Sequence, residues 1–176
     1  MEKHLSRGTV SKVTYFTLGT GVAAGLAGGL SEIAWIGLYQ HLSGASGAAV
    51  ASGVAQSLLP NLAYGSNAVV LGIGIHLAIS IVLGLSIALF IRRFFPALVG
   101  TLLEPLFVVA SLVAIWGMNF FILLPIINPA FVTIVPLAAS LISKTLFGLT
   151  SAFVLFWGDR ISSQSQSGRK EISARL

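Results

Sequence analysis

The 176-residue chain is 56% hydrophobic and only 9% charged, against about 25% charged residues in a typical soluble domain. That balance, with a mean hydropathy of +0.95, excludes a water-soluble globular enzyme and a disordered chain. The lack of cysteine excludes disulfides, thiolate metal sites and a cysteine nucleophile.

In chain order, residues 1–12 form a polar arm holding Glu2, Lys3, Arg7 and Lys12. A first apolar span follows over about 13–39. It is longer than the apolar stretch of a signal peptide and contains Glu32, so it reads as a retained span. Gly21, Gly25, Gly28 and Glu32 share one face at helical spacing. The connection 40–67 is uncharged and rich in Ala, Gly and Ser. Within it, residues 48–59 predict a short helix lying on the membrane interface and stopped by Pro60, in preference to a re-entrant lid. A second span over 68–91 carries Gly72, His76, Ser80 and Gly84 every four residues and ends at Arg92-Arg93. A tight turn to Pro96 leads into a third span, 97–124, where Glu104, Val108 and Ser111 share a face and Asn119 lies two turns on. After a short connection with Pro125 and Pro129, a fourth span over 131–157 carries Ser140, Lys144, Gly148 and Ser151. Pro136 is expected to kink it, with Asn119 as a partner for the freed carbonyl. Residues 158–176 form a polar tail, expected to be mobile.

Each span reaches the roughly 20 residues that a bilayer-crossing helix needs, and long continuous apolar runs favour helices over barrel strands. The expected fold is therefore all-α: four transmembrane helices in an antiparallel bundle. The basic residues of the arm, the 92–93 turn and the tail fall on one side, and the two other connections carry no charge. This places both termini in the cytoplasm, with a bacterial inner membrane as the expected location. Basic residues so divided line no groove, so nucleic acid is not an expected partner. Tyr15, Phe16, Phe94, Phe95 and Trp157 fall near the inner boundary, and Trp35 and Tyr39 near the outer one. Arg92, Arg93, Trp157 and Arg160 are the expected lipid and cytoplasmic anchors.

Ionisable residues inside spans are costly and usually face protein or water. Glu32, His76, Lys144, Glu104 and Asn119 are therefore the candidate buried polar cluster. Small residues mark close helix contact, so Gly21, Gly25, Gly28, Gly72, Gly84 and Gly148 are candidate packing positions, within the chain or in self-association. At about 1.5 Å rise per residue, Lys144 and His76 fall at similar depth, Glu32 one turn further out and Glu104 about 10 Å nearer the cytoplasm. A Glu32–Lys144 pair beside His76 is allowed if spans one, two and four adjoin; a Glu104–Lys144 pair competes. The group reads as a buried ion pair fixing helix register, as part of a proton or ion path, or as a cofactor or metal site. Only His41 and His76 lie outside the arm, which makes bis-histidine haem implausible, and no cofactor or metal is expected. No GxSxG, HExxH or phosphate-binding loop appears, so no catalytic residue is assigned.

The segments GVAAGLAGGLSEIAW, GIGIHLAISIVLG, WGMNFFILLPIINPAF and PLAASLISKTLFG resemble those of small four-span bacterial inner-membrane proteins, the YagU-like group. In that group the fourth span often has histidine where this chain has Lys144. The resemblance implies a four-span fold and no known activity. The scarce aqueous surface and lack of catalytic motifs lead to the expectation of a non-enzymatic subunit or accessory protein of a larger inner-membrane complex. Its partners would be the bilayer and other membrane subunits or further copies of itself. The alternative is a small oligomeric transporter or proton/ion conductor using Glu32, His76 and Lys144.

Overall fold

The computed structural model describes the backbone of residues 3–175 and the side chains of residues 16–161. The side chains of the N-terminal arm, Tyr15 and the tail beyond Ile161 lie outside the described residues. The described chain is all-helical: α1 (Lys3–Leu42), α2 (Gly47–Leu58), α3 (Asn67–Phe94), α4 (Leu103–Met118), α5 (Leu124–Ile127), α6 (Phe131–Ile134) and α7 (Leu137–Arg175). A 3-10 turn (Pro96–Leu98) precedes α4, and a π-helical segment (Asn119–Leu123) joins α4 to α5. Four helices are long and apolar enough to cross a membrane: Phe16–Leu42, Asn67–Phe94, Leu103–Ile127 and Leu137–Ile161. This is the build of a multi-pass membrane protein.

Proline sets most of the breaks. A residue before proline is pushed out of the helical region. Leu59, Phe95, Asn128 and Val135, which precede Pro60, Pro96, Pro129 and Pro136, are all non-helical at the ends of α2, α3, α5 and α6. Pro105 falls in the first turn of α4, where its missing N–H costs nothing. Pro125 removes the hydrogen bond to the Phe121 carbonyl, and the widened turn just before it opens room for the ring. Gly44 and Gly100 take the positive φ needed to leave α1 and to enter α4.

Several expectations change here. The third span starts at Leu103 rather than near residue 97, because the 3-10 turn and Gly100 occupy the intervening stretch. Pro136 does not kink the fourth span; it separates the single turn α6 from α7, and the Ser140 amide bonds back to its carbonyl. The backbone of α7 continues through the polar tail to Arg175.

Helix α1 packs on α3 and on α7, α7 packs on α4, and α2 packs on α3. The main core lies toward the Arg92 end and joins Ala24, Ile87, Ile91, Val108, Leu112, Phe147 and Leu155. There α3 and α4 meet through Phe90, Phe95 and Phe107. Toward the other end α2 stands between them. Its Ala51 presses on Gly72 of α3, and its Gly53 faces the Phe131 ring of α6. Ala55 is fully buried with Ala63 and Ala68, and the Ser57 hydroxyl accepts a hydrogen bond from the Asn128 amide. Gly47, at the start of α2, lies against Gly37 of α1. Gly37 and Gly72 are each five residues inside their helix ends. The segment is thus sunk about 7 Å below the ends of α1 and α3, closer to a lid than to a helix resting on the surface.

Candidate functional site

The glycines of α1 decide how the polar residues meet. A Cβ on Gly25 would run into the Ser80 carbonyl, and one on Gly84 into the Gly25 backbone. Gly21 lies against Leu85 and Ala88, while Gly28 faces Phe147 and Ser151 of α7. The shared face expected for Gly21, Gly25 and Gly28 is therefore divided between two neighbours. Glu32 continues the stripe between them, in reach of α3 and α7 together.

Glu32 is the centre of the site. The Lys144 ammonium donates to Glu32 Oε2 at 2.8 Å, and the Ser143 hydroxyl donates to Oε1 at 3.1 Å. His76 Nε2 stands 3.7 Å from Glu32 Oε2 and 3.3 Å from the Gly29 carbonyl. The Glu32 and Lys144 side chains are 8% and 15% exposed, and His76 27%, so the pair is well shielded while the imidazole keeps an open edge. Lys144 Nζ also lies 4.7 Å over the Phe147 ring, an attractive placement for a cation. One of its three N–H donors is used by Glu32 and a second side faces the ring.

These three residues form the floor of a cavity of about 550 Å³. Its walls come from α1 (Ile33, Ile36), α3 (Ile73, Ile79), the α4–α5 segment (Trp116, Phe120, Leu123) and α7 (Ser140, Ser143), and one face of α2 also lines it, leaving the cavity partly open. The lining is overwhelmingly apolar apart from the floor. The volume lies in the range of small-molecule sites, roughly 300–1,000 Å³, and π-helical turns such as Asn119–Leu123 recur at functional sites.

The remaining residues are placed elsewhere. Asn119 lines the cavity wall; it does not serve a carbonyl freed by Pro136. That neighbourhood is served by α1 instead, where Gln40 donates to the Ile134 carbonyl and Trp35 to the Ala139 carbonyl at 2.9 Å. Glu104 is remote from Lys144. It is fully buried at the Arg92 end, where its Oε2 accepts the Gly100 amide at 2.7 Å. Arg92 pairs with Asp159 of α7, so it ties α3 to α7 instead of acting only as a lipid anchor. Arg93 and Arg160 lie over the rings of Phe94 and Phe156, and Trp157 is half exposed beside Phe153. Gly72 packs on α2, and Gly148 on Val109 of α4.

Sequence reasoning missed three contributors. Ser143 carries no signal in the sequence, since neighbours in a helix do not share a face; it and Lys144 both reach Glu32 because α1 lies over the boundary between their two faces. Trp116, whose N–H donates to the Ser140 hydroxyl at 2.8 Å, reads in sequence as one more apolar residue. Asp159 reads in sequence as part of the polar tail, yet it pairs with Arg92. Among the described residues no group of three or more His, Cys, Asp or Glu is placed to hold a metal ion. The chain matches no family model, and no curated protein or solved structure is found to be similar to it.

Proposed function

We propose that the chain is a non-enzymatic membrane carrier or binding protein for a small, mainly apolar molecule that ends in a hydrogen-bond acceptor. The observation that carries this is the cavity of about 550 Å³ whose apolar walls lead to one polar patch, Glu32–Lys144–His76. A buried pair needed only to fix helix register is better left without a void beside it, since empty space forfeits packing. Lys144 keeps an N–H donor that neither Glu32 nor the Phe147 ring takes up, which gives the floor a charged donor for an incoming acceptor.

The charge pattern supports an antiparallel bundle in a bacterial inner membrane with both termini in the cytoplasm. The α2 end and the cavity then lie toward the outer side. The wall between the cavity and the cytoplasmic side is the main apolar core, reinforced by the Arg92–Asp159 pair.

Native mass spectrometry of the protein in mild detergent tests the reading. A small-molecule adduct on the wild type that is lost in the cavity-filling variant Ile36→Trp supports it. Co-migration with a polypeptide, without any adduct, would favour the accessory-subunit expectation instead. A bare monomer in both proteins overturns the binding-site reading.

A further inference from the structure

From the charge balance of the cavity floor we infer that the guest is a single-chain anionic amphiphile, and that its binding takes up one proton. This rests on the proposed binding role of the cavity and adds the chemical class of the guest and its coupling.

Among the described residues, the charged or titratable groups facing the floor come from three helices. Helix α1 supplies Glu32, α3 supplies His76 and α7 supplies Lys144; α2 and the α4–α5 segment supply none, their polar lining groups being Ser57, Trp116 and Asn119. With the carboxylate and ammonium paired at 2.8 Å and the imidazole neutral, the floor carries no net charge. A low-dielectric site tolerates that state and penalises a net charge heavily.

The unused N–H of Lys144 offers a charged donor to an acceptor head group, and the strongest acceptor for an ammonium is an anion. An anion arriving alone would leave the floor at minus one. The geometry holds the remedy in place. His76 Nε2 already stands 3.7 Å from Glu32 Oε2, so an imidazole that takes one proton from water becomes the partner of Glu32. Lys144 is then released to the guest. One ion pair becomes two, and the net charge returns to zero. The apolar walls offer room for one acyl-type chain, so the guest assigned to the site is a single-chain anion.

The test uses the full chain in phosphatidylcholine nanodiscs with two probes, 11-bromoundecanesulfonate and 11-bromoundecanol. Bromine quenches tryptophan at contact, and Trp116 lines the cavity, so the signal is the saturable quenching that Trp116→Phe removes. A sulfonate cannot itself be protonated, so any proton uptake belongs to the protein. Its affinity should fall about tenfold from pH 7 to pH 8, as one proton bound with each anion requires. The alcohol should show no such slope. His76→Gln, which keeps a donor for the Gly29 carbonyl, should flatten the sulfonate slope, and Lys144→Met should abolish sulfonate binding. A flat sulfonate profile with normal quenching by both probes would overturn the proton-coupled anion and leave the cavity reading standing. Absence of Trp116 quenching by either probe would overturn the cavity reading itself.

Discussion

Replacing one member of the Glu32–Lys144 pair at a time should destabilise the protein unequally and with opposite pH dependence. Breaking a buried pair by removing one partner typically costs about 3–5 kcal/mol, because the other charge is left uncompensated. The cost is capped by the work of neutralising the survivor. In Glu32→Gln the survivor is Lys144, left with the Phe147 ring, hydroxyl and amide groups and the His76 imidazole, none of which carries a compensating negative charge. Removing a proton from a lysine of ordinary pKa costs about 5 kcal/mol at pH 7, at 1.36 kcal/mol per unit. In Lys144→Met the survivor is Glu32, which keeps the Ser143 hydroxyl and has His76 at 3.7 Å. Protonating an ordinary glutamate costs about 4 kcal/mol at pH 7, and protonating an ordinary imidazole under about 1 kcal/mol, so this variant should lose only about 1–4 kcal/mol. The folded Lys144→Met protein binds one more proton than its unfolded chain, so its deficit shrinks as pH falls. The folded Glu32→Gln protein sheds a proton that its unfolded chain keeps, so its deficit grows as pH falls. Each slope reaches at most about 1.4 kcal/mol per unit. Denaturation in mild detergent from pH 6 to pH 8, including the double variant, measures both. Slopes of the same sign, or deficits below about 1 kcal/mol in both variants, would refute a shielded pair backed by His76.

The double variant Glu32→Gln/Lys144→Met should recover most of the stability lost by the singles, because no buried charge is left alone. Gly84→Ala should cost at least about 1–3 kcal/mol by forcing α3 away from the Gly25 backbone, whereas Gly74→Ala, with open space around it, should be neutral or stabilising by up to about 1 kcal/mol; thermal denaturation compares them. Gly72→Val should loosen α2 from α3, read as faster labelling of an Ala55→Cys thiol than in the Ala55→Cys protein alone. Arg92→Asp and Asp159→Arg should each destabilise the Arg92 end, and the exchanged pair should recover part of the loss in the same melts; no recovery would argue against a direct contact.

The four spans were legible because apolar length and the scarcity of charge are properties of the sequence. The cluster was legible in outline. Small residues at four-residue spacing named the faces of α1, α3 and α7 that approach closely, and depth counting set His76 and Lys144 at similar height with Glu32 one turn further out, within reach of the lysine. What could not be read was which neighbour each glycine served. The stripe from Gly21 to Glu32 looks like one face, yet the structure turns Gly25 toward α3 and Gly28 toward α7, because two helices share α1. The cavity was illegible for a different reason. It exists only because α2 holds α3 and the α4–α5 segment apart, and no pattern within one helix reports the space between others. Pro125 gave a local sign of irregularity, but its effect, a widened turn at Asn119–Leu123, needed the helix geometry to be seen.

The contact between Gly25 and Gly84 also has a mechanical side. With no side chain between them, α1 and α3 have little freedom to slide or roll and behave as one stiff body. The same close approach recurs on the other side of α1, where Gly28 lets Phe147 and Ser151 of α7 seat against it, and the Arg92–Asp159 pair ties α3 to α7. Glu32 and Lys144 face each other across the α1–α7 contact, so the ion pair crosses a tightly packed boundary. A rearrangement of that pair therefore has to be taken up by side chains at the cavity rather than by sliding of α1 against its neighbours.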